Sequence, residues 1–170
     1  MISKPNEEEL TTYFKSYINL VEENELIEAL ENQRQMTIDL FSSIQLEKEN
    51  YKYGIGKWTI KELMQHIIDS ERIFNYRALR FSRKDHTELT GYDDNDFIKN
   101  SNCKNRTLAN LIQEFKIVRQ STIYLFQSMN TDSIDFKGKA NGNEITSRII
   151  GWMIAGHSTH HCQILKERYL

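Results

Sequence analysis

The 170-residue sequence has two cysteines and one proline, and no run of apolar residues approaches the length of a membrane span. Two cysteines, Cys103 and Cys162, cannot build a disulfide scaffold and are not spaced as a zinc ribbon requires, so both read as free thiols. A spanning helix needs about 20 consecutive apolar residues, and the first ten residues are polar and acidic rather than leader-like. These absences argue against a membrane partner and lead to the expectation of a cytoplasmic protein. Positive charge is not in excess either: 22 Lys and Arg stand against 24 Asp and Glu, a net charge of -2. Without a cationic field to collect phosphates, nucleic acid is not an expected partner. Because the only proline is Pro5, no later segment is barred from helix by a missing amide donor.

What is present suits amphipathic helices. A mean hydropathy of -0.62 with 39% hydrophobic residues fits helices that each keep one wet face, and the length is that of one domain. We expect a single all-α domain over residues 1–170, a four-helix bundle, with residues 1–24 as an N-terminal extension in which Glu7 to Val21 forms a short leading helix. The first bundle helix is predicted over Glu25 to Gln45, where Leu26, Leu30, Met36, Leu40, Phe41 and Ile44 approximate helical spacing. After Gly54 and Gly56, Thr59 followed by Glu62 fits a capping box, with Trp58 and Leu63 placed to staple the helix start. That second helix should run to about Arg83. Lys84 to Arg106 is a long polar connection between the second and third bundle helices, with a short helix at Asp94 to Lys99; connections of this length tend to be functional or disordered. The third helix is predicted over Thr107 to Met129, a hairpin about Asn141-Gly142, and the last helix over Thr146 to Tyr169.

Histidines carry the chemistry. His157 and His161 are four residues apart on the last helix, so they project within about 40° of each other. Ile150, Met153, Ile154, Ile164 and Leu165 share their face, which places both imidazoles in the stripe that should enter the bundle. His66 lies two turns into the second helix among Leu63, Ile73 and Phe74 and can add a third imidazole from a separate element. Imidazole nitrogens hold divalent ions at about 2.0–2.1 Å, and three protein ligands leave a position open, the pattern of a catalytic site. The plain alternative is that all three are core histidines satisfied by hydrogen bonds. His160 diverges by about 60° from His157 and about 100° from His161 and reads as a supporting residue or a contact to a neighbouring helix. His86 reads as a solvated loop residue. Cys162 diverges by about 100° from His161, which assigns it to packing rather than to the ion. Trp152 reads as core or dimer-contact bulk, and Gly151 and Gly156 as points of close helix approach.

Two segments resemble a known family. Trp58-Thr59-x-x-Glu62-x-x-x-His66-Ile67-x-Asp69-x-Glu71, together with His157-x-x-His160-His161 followed by Gln163-Ile164, is similar to the DinB-like (damage-inducible, YfiT-related) proteins. The Gly91-Tyr92-Asp93-Asp94 loop and the Glu114-Phe115 to Arg119 segment extend the resemblance to about residues 25 to 170. It implies a four-helix bundle, often a homodimer, with a divalent ion such as zinc or nickel on His66, His157 and His161. It does not imply one reaction. Relatives are described as metal-dependent hydrolases or as transferases and isomerases using a low-molecular-weight thiol, so a small-molecule substrate is the expected partner. Among nearby carboxylates, Glu62 is expected to cap its helix and Glu71 to point away from His66. Asp69, about 60° from the His66 direction, is the candidate to orient an imidazole, with a solvated surface acid as the alternative. Arg77, about three turns along the His66 face, is placed either to bind an acidic group of a cosubstrate or to snorkel to the rim. A non-catalytic module in which the ion only fastens helices is the competing reading.

Overall fold

The computed structural model describes all 170 residues. Four long helices form the bundle: α2 (Leu26–Ser42), α3 (Ile60–Ser82), α5 (Leu108–Gln127) and α7 (Ser147–Ile164). Shorter helices α1 (Thr12–Ile18), α4 (Asp94–Asn100) and α6 (Thr131–Ile134) and a hairpin of β1 (Lys137–Ala140) and β2 (Asn143–Thr146) fill the connections. No helix is long and apolar enough to cross a membrane.

The starts of these helices follow from local side-chain chemistry. Thr59 accepts from the Glu62 amide at 3.1 Å while Glu62 accepts from the Thr59 amide at 2.7 Å, completing the expected capping box. Thr107 and Thr146 cap α5 and α7 one-sidedly, accepting from the amides of Asn110 and Ile149. In the hairpin, Asn141 and Gly142 both have positive φ, 49° and 76°, as a two-residue type I′ turn demands. The last helix ends as a π-helical turn over Leu165–Tyr169.

Two apolar cores lie at opposite ends of the bundle. One gathers Leu26, Leu30, Phe81, Phe126, Trp152 and Met153, the other Phe41, Leu63, Ile67, Leu111, Phe115 and Leu165. The order in which each helix enters the two cores gives its direction: α2 and α7 run one way, α3 and α5 the other. Packing runs α2 to α5 to α3 to α7 and back to α2, so the consecutive helices α2 and α3 face each other across the diagonal. Helices α3 and α5 are neighbours and parallel, which forces residues 83–107 to travel back along the bundle.

The short leading helix expected within Glu7 to Val21 is α1. Helix α1 packs on α7, with Phe14, Ile18 and Val21 buried in the first core. Gly156 makes this approach possible, since a Cβ there would stand 2.3 Å from the Tyr17 carbonyl oxygen. Trp152 is fully buried and donates its indole N–H to the Ser3 carbonyl at 2.9 Å, which settles its role as core.

Between the two cores every bundle helix turns polar. Gln33 and Thr37 on α2, His66, Ser70 and Glu71 on α3, Arg119 and Thr122 on α5, and His157, Ser158 and His161 on α7 are all buried. At the centre, Arg119 forms a two-pronged pair with Glu71, 2.8 and 2.9 Å, and donates to Ser158 Oγ at 2.7 Å and the Leu30 carbonyl at 3.1 Å. Thr122 donates to Glu71 at 2.5 Å. One guanidinium thus touches the other three helices.

Arg119→Met should lower unfolding stability by about 3–5 kcal/mol, because the Glu71 carboxylate stays buried without its partner; Glu71→Leu in the same chain should recover much of the loss in urea titrations. A second expectation concerns the cap. Burial works to raise the Glu62 pKa, but the Thr59 hydrogen bonds and Lys52 outweigh it and hold the carboxyl below its ordinary 4.5. A depressed carboxyl pKa stabilises fully above the unfolded value and loses that contribution as pH falls through 4.5 toward the folded value. The stability difference between wild type and Glu62→Gln should therefore shrink as pH is lowered through this window; a pH-independent difference counts against the charged cap.

Candidate metal centre

Helix α3 carries His66 seven residues past the Thr59 cap, and α7 carries His157 and His161 one turn apart; the α3–α7 contact brings all three to one point. Their Nε2 atoms form a triangle with sides of 3.0, 3.0 and 3.1 Å. All three rings are buried, and together they make the one group of three or more His, Cys, Asp or Glu side chains in the chain whose ligand atoms lie within 4.8 Å of one another.

Protonation follows from burial. Desolvation, opposed by Asp94 and aided by His160, brings His66 down to about 4. Desolvation, then mutual repulsion with the neighbouring imidazoles, holds His157 and His161 well below the ordinary 6.5. At neutral pH the three rings are uncharged, the state in which imidazole ligates a metal. Three neutral rings cannot satisfy three mutual contacts with hydrogen bonds: one Nε2–H can serve two acceptors, and the remaining pair then opposes lone pairs at about 3 Å. A triangle of inward-pointing lone pairs instead fits a divalent cation, whose usual nitrogen distance of about 2.0–2.1 Å is compatible with such an N···N spacing. The donor set fits the ion.

On the far side of the His66 ring, Nδ1 stands 3.4 Å from Asp94 Oδ1 and 3.4 Å from Ser70 Oγ. A carboxylate in this position favours the proton on Nδ1 and leaves the Nε2 lone pair facing the triangle. The Tyr92 hydroxyl donates to Ser70 at 3.1 Å, so the 83–107 connection supports His66 through two side chains. The Trp58 ring lies 4.6 Å from that of His66, centroid to centroid, and Phe74 packs edge-on to His157 at 5.9 Å.

A family model described as the DinB superfamily matches residues 29–165. The chain belongs to the DinB superfamily. Among solved structures, this DinB chain is similar to YfiT from Bacillus subtilis, described as a probable metal-dependent hydrolase with an unusual four-helix bundle topology. The two share 17% identity with a TM-score of 0.76, over 96% of this chain and 90% of that one. That likeness establishes the four-helix-bundle fold. No curated protein matches the sequence.

The supporting residues expected from sequence fare differently. Asp69 does not orient a histidine: it accepts from Gln65 at 2.9 Å and lies 4.0 Å from Arg72, on a separate polar surface with Arg106. Asp94 occupies the role instead. Its motif, Gly91-Tyr92-Asp93-Asp94, is visible in the sequence, but helical angles on α3 say nothing about a residue that arrives from a connection. His160 packs edge-on against Tyr17 of α1 at 5.1 Å and against His161 at 5.1 Å, a helix contact beside the centre. Tyr17 itself, tilted on His157 at 5.9 Å, escaped the sequence reading because α1 carries no signal of belonging to the bundle. Its phenol is pushed up to about 12, first by burial and then by Tyr13, and stays protonated. Cys162 faces away from the triangle toward Thr37, 3.5 Å from Oγ1, as its helical angle predicts. Arg77 lines a cavity beside the centre rather than the triangle.

Asp94→Ala should weaken divalent-ion affinity by about 10–100-fold, read by competition with a chromophoric chelator, while leaving the unfolding midpoint of the metal-free protein near that of wild type. Unchanged affinity would remove Asp94 from the site.

Proposed function

We propose that this DinB chain is a metal-dependent enzyme acting on a small molecule, with His66, His157 and His161 holding one divalent ion and hydrolysis as its reaction. The observation that carries the reading is the triangle of three neutral Nε2 atoms: three protein ligands leave one tetrahedral position free for a reactant. A divalent ion held there would supply Lewis acidity, lowering the pKa of a nucleophile and polarising an electrophile. The description of YfiT as a probable metal-dependent hydrolase supports the same reading.

The chain's own residues prepare the position. Asp94 and Ser70 fix the His66 ring and its tautomer, and Trp58 and Phe74 wall the imidazoles on their apolar sides. Tyr17 offers a protonated phenol beside His157. Zinc and nickel both suit an all-imidazole set, so the donor chemistry leaves the metal to cellular supply.

One observation favours a second nucleophile, a low-molecular-weight thiol. Asp94 stands on the Nδ1 side of His66, across the ring from the triangle, where it orients the ligand and does not face the open position. Hydrolysis gains from a base at that position, whereas a thiol, more acidic than water, ionises without one. The site would then be a thiol transferase built on the same three histidines. A purely structural ion is disfavoured by a cavity of about 400 Å³ whose lining includes His161 itself, with Trp58 and Asp94.

Purified protein should carry about one divalent ion per chain, and His66→Ala or His161→Ala should abolish it, as elemental analysis can read directly. A metal-free wild type from a preparation never exposed to chelator overturns the proposal. With the metal present, ester and amide hydrolysis assayed against thiol consumption separates the two nucleophiles, and chelation should stop whichever is found while the bundle stays folded.

A further inference from the structure

Beside the histidine triangle, a cavity of about 350 Å³ opens between α1, α3, α7, the hairpin and the connection. Its size falls at the lower end of the range for small-molecule pockets. Phe14, Phe74, Ile150 and Met153 give it an apolar wall, and two ionisable groups of opposite sign reach it, Arg77 and Asp94. Asp94 directs Oδ1 toward His66. Arg77 lines it without a carboxylate partner. Its Nη2 donates to the Thr90 carbonyl at 3.0 Å and its guanidinium lies 5.9 Å from the Tyr92 ring centroid. Arg72, Arg80, Arg106, Arg119 and Arg148 each face a carboxylate; partly buried Arg77 faces none. Partial burial works to lower its pKa from the ordinary arginine value, and an anion placed against it would replace hydration lost there.

We infer that this cavity binds a small organic carboxylate, its anionic group held by Arg77 and its apolar body lying along Phe74, Ile150 and Met153. A guanidinium presents a planar fork matched to a carboxylate. A single cation with an acid on the same lining suits a monoanion better than a multiply charged phosphate. The cavity is also braced for this purpose. Asn141 of the hairpin turn donates its amide to the Leu89 carbonyl at 2.9 Å, and its side chain sits where a Cβ on Gly91 would fall, 2.4 Å away. The connection and hairpin therefore form one wall. That the ligand's far end lies toward the histidines rests on the enzymatic reading above: none of the three lines the cavity, which shares Asp94 with the outer side of His66 and Phe74 with His157.

The test uses 4-phenylbutanoate and its uncharged counterpart 4-phenylbutanamide, titrated calorimetrically into full-length His161→Ala protein so that no metal competes for the carboxylate. The acid is expected to bind at least tenfold more tightly than the amide. Arg77→Gln should erase that preference, and Arg77→Lys should keep part of it. Equal affinities for acid and amide, no saturable binding of the acid at millimolar concentration, or full acid preference in Arg77→Gln each overturns the inference. If Arg77→Gln does not fold, the acid-against-amide comparison in the parent protein decides. Because this measurement is made without metal, a failure of the metal proposal leaves its outcome unaffected.

Discussion

The Glu71–Arg119 pair is the constraint around which the bundle is arranged. A carboxylate and a guanidinium buried to this degree are tolerated only when every donor and acceptor finds a partner. Here those partners come from α2, α3, α5 and α7 at once. The helices must therefore meet at one height and in one rotation, with Leu30, Thr122 and Ser158 all facing the charge. That registration has a chemical result, because Ser158 follows His157 and Glu71 lies five residues from His66. Fixing the ion pair fixes the relative height of α3 and α7, and with it the separation of imidazoles that come from different helices.

The polar middle also explains why the apolar residues divide into two cores. A continuous hydrophobic stripe would let neighbouring helices slide by a turn at little cost. Interrupting it with groups that demand specific partners penalises each slipped register through an unpaired buried charge. Burial keeps the histidines neutral in the same layer, so the feature that specifies the fold also prepares the ligands.

Local and periodic features of this layer were legible in the sequence. The Thr59 cap, the Asn141-Gly142 turn, the i, i+4 spacing of His157 and His161, and the placement of Cys162 away from them all depend on neighbours a few residues apart. Features whose deciding contact is remote were not legible. Asp69 has the right direction on α3, yet Gln65, one turn back, and Arg72 claim it. Asp94 reaches His66 only because the connection folds back over the bundle. Helix α1 is short, and its place in the core depends on Gly156, 139 residues after Tyr17, lacking a side chain. Arg119 sits among ordinary apolar spacings, and nothing in its local sequence announces a buried charge.

The direction of α3 and α5 has a further consequence. Since the two helices are adjacent and parallel, the chain must return the length of the bundle between them, and the return necessarily passes the level of the histidines. The segment that satisfies a topological need is thereby the one that carries Gly91, Tyr92 and Asp94 to the centre. It contributes little to either apolar core, so its sequence can change with modest effect on folding. Descendants of such a chain can acquire a different chemical preference by rewriting a single return strap while the four helices and their metal-ready triangle are inherited intact.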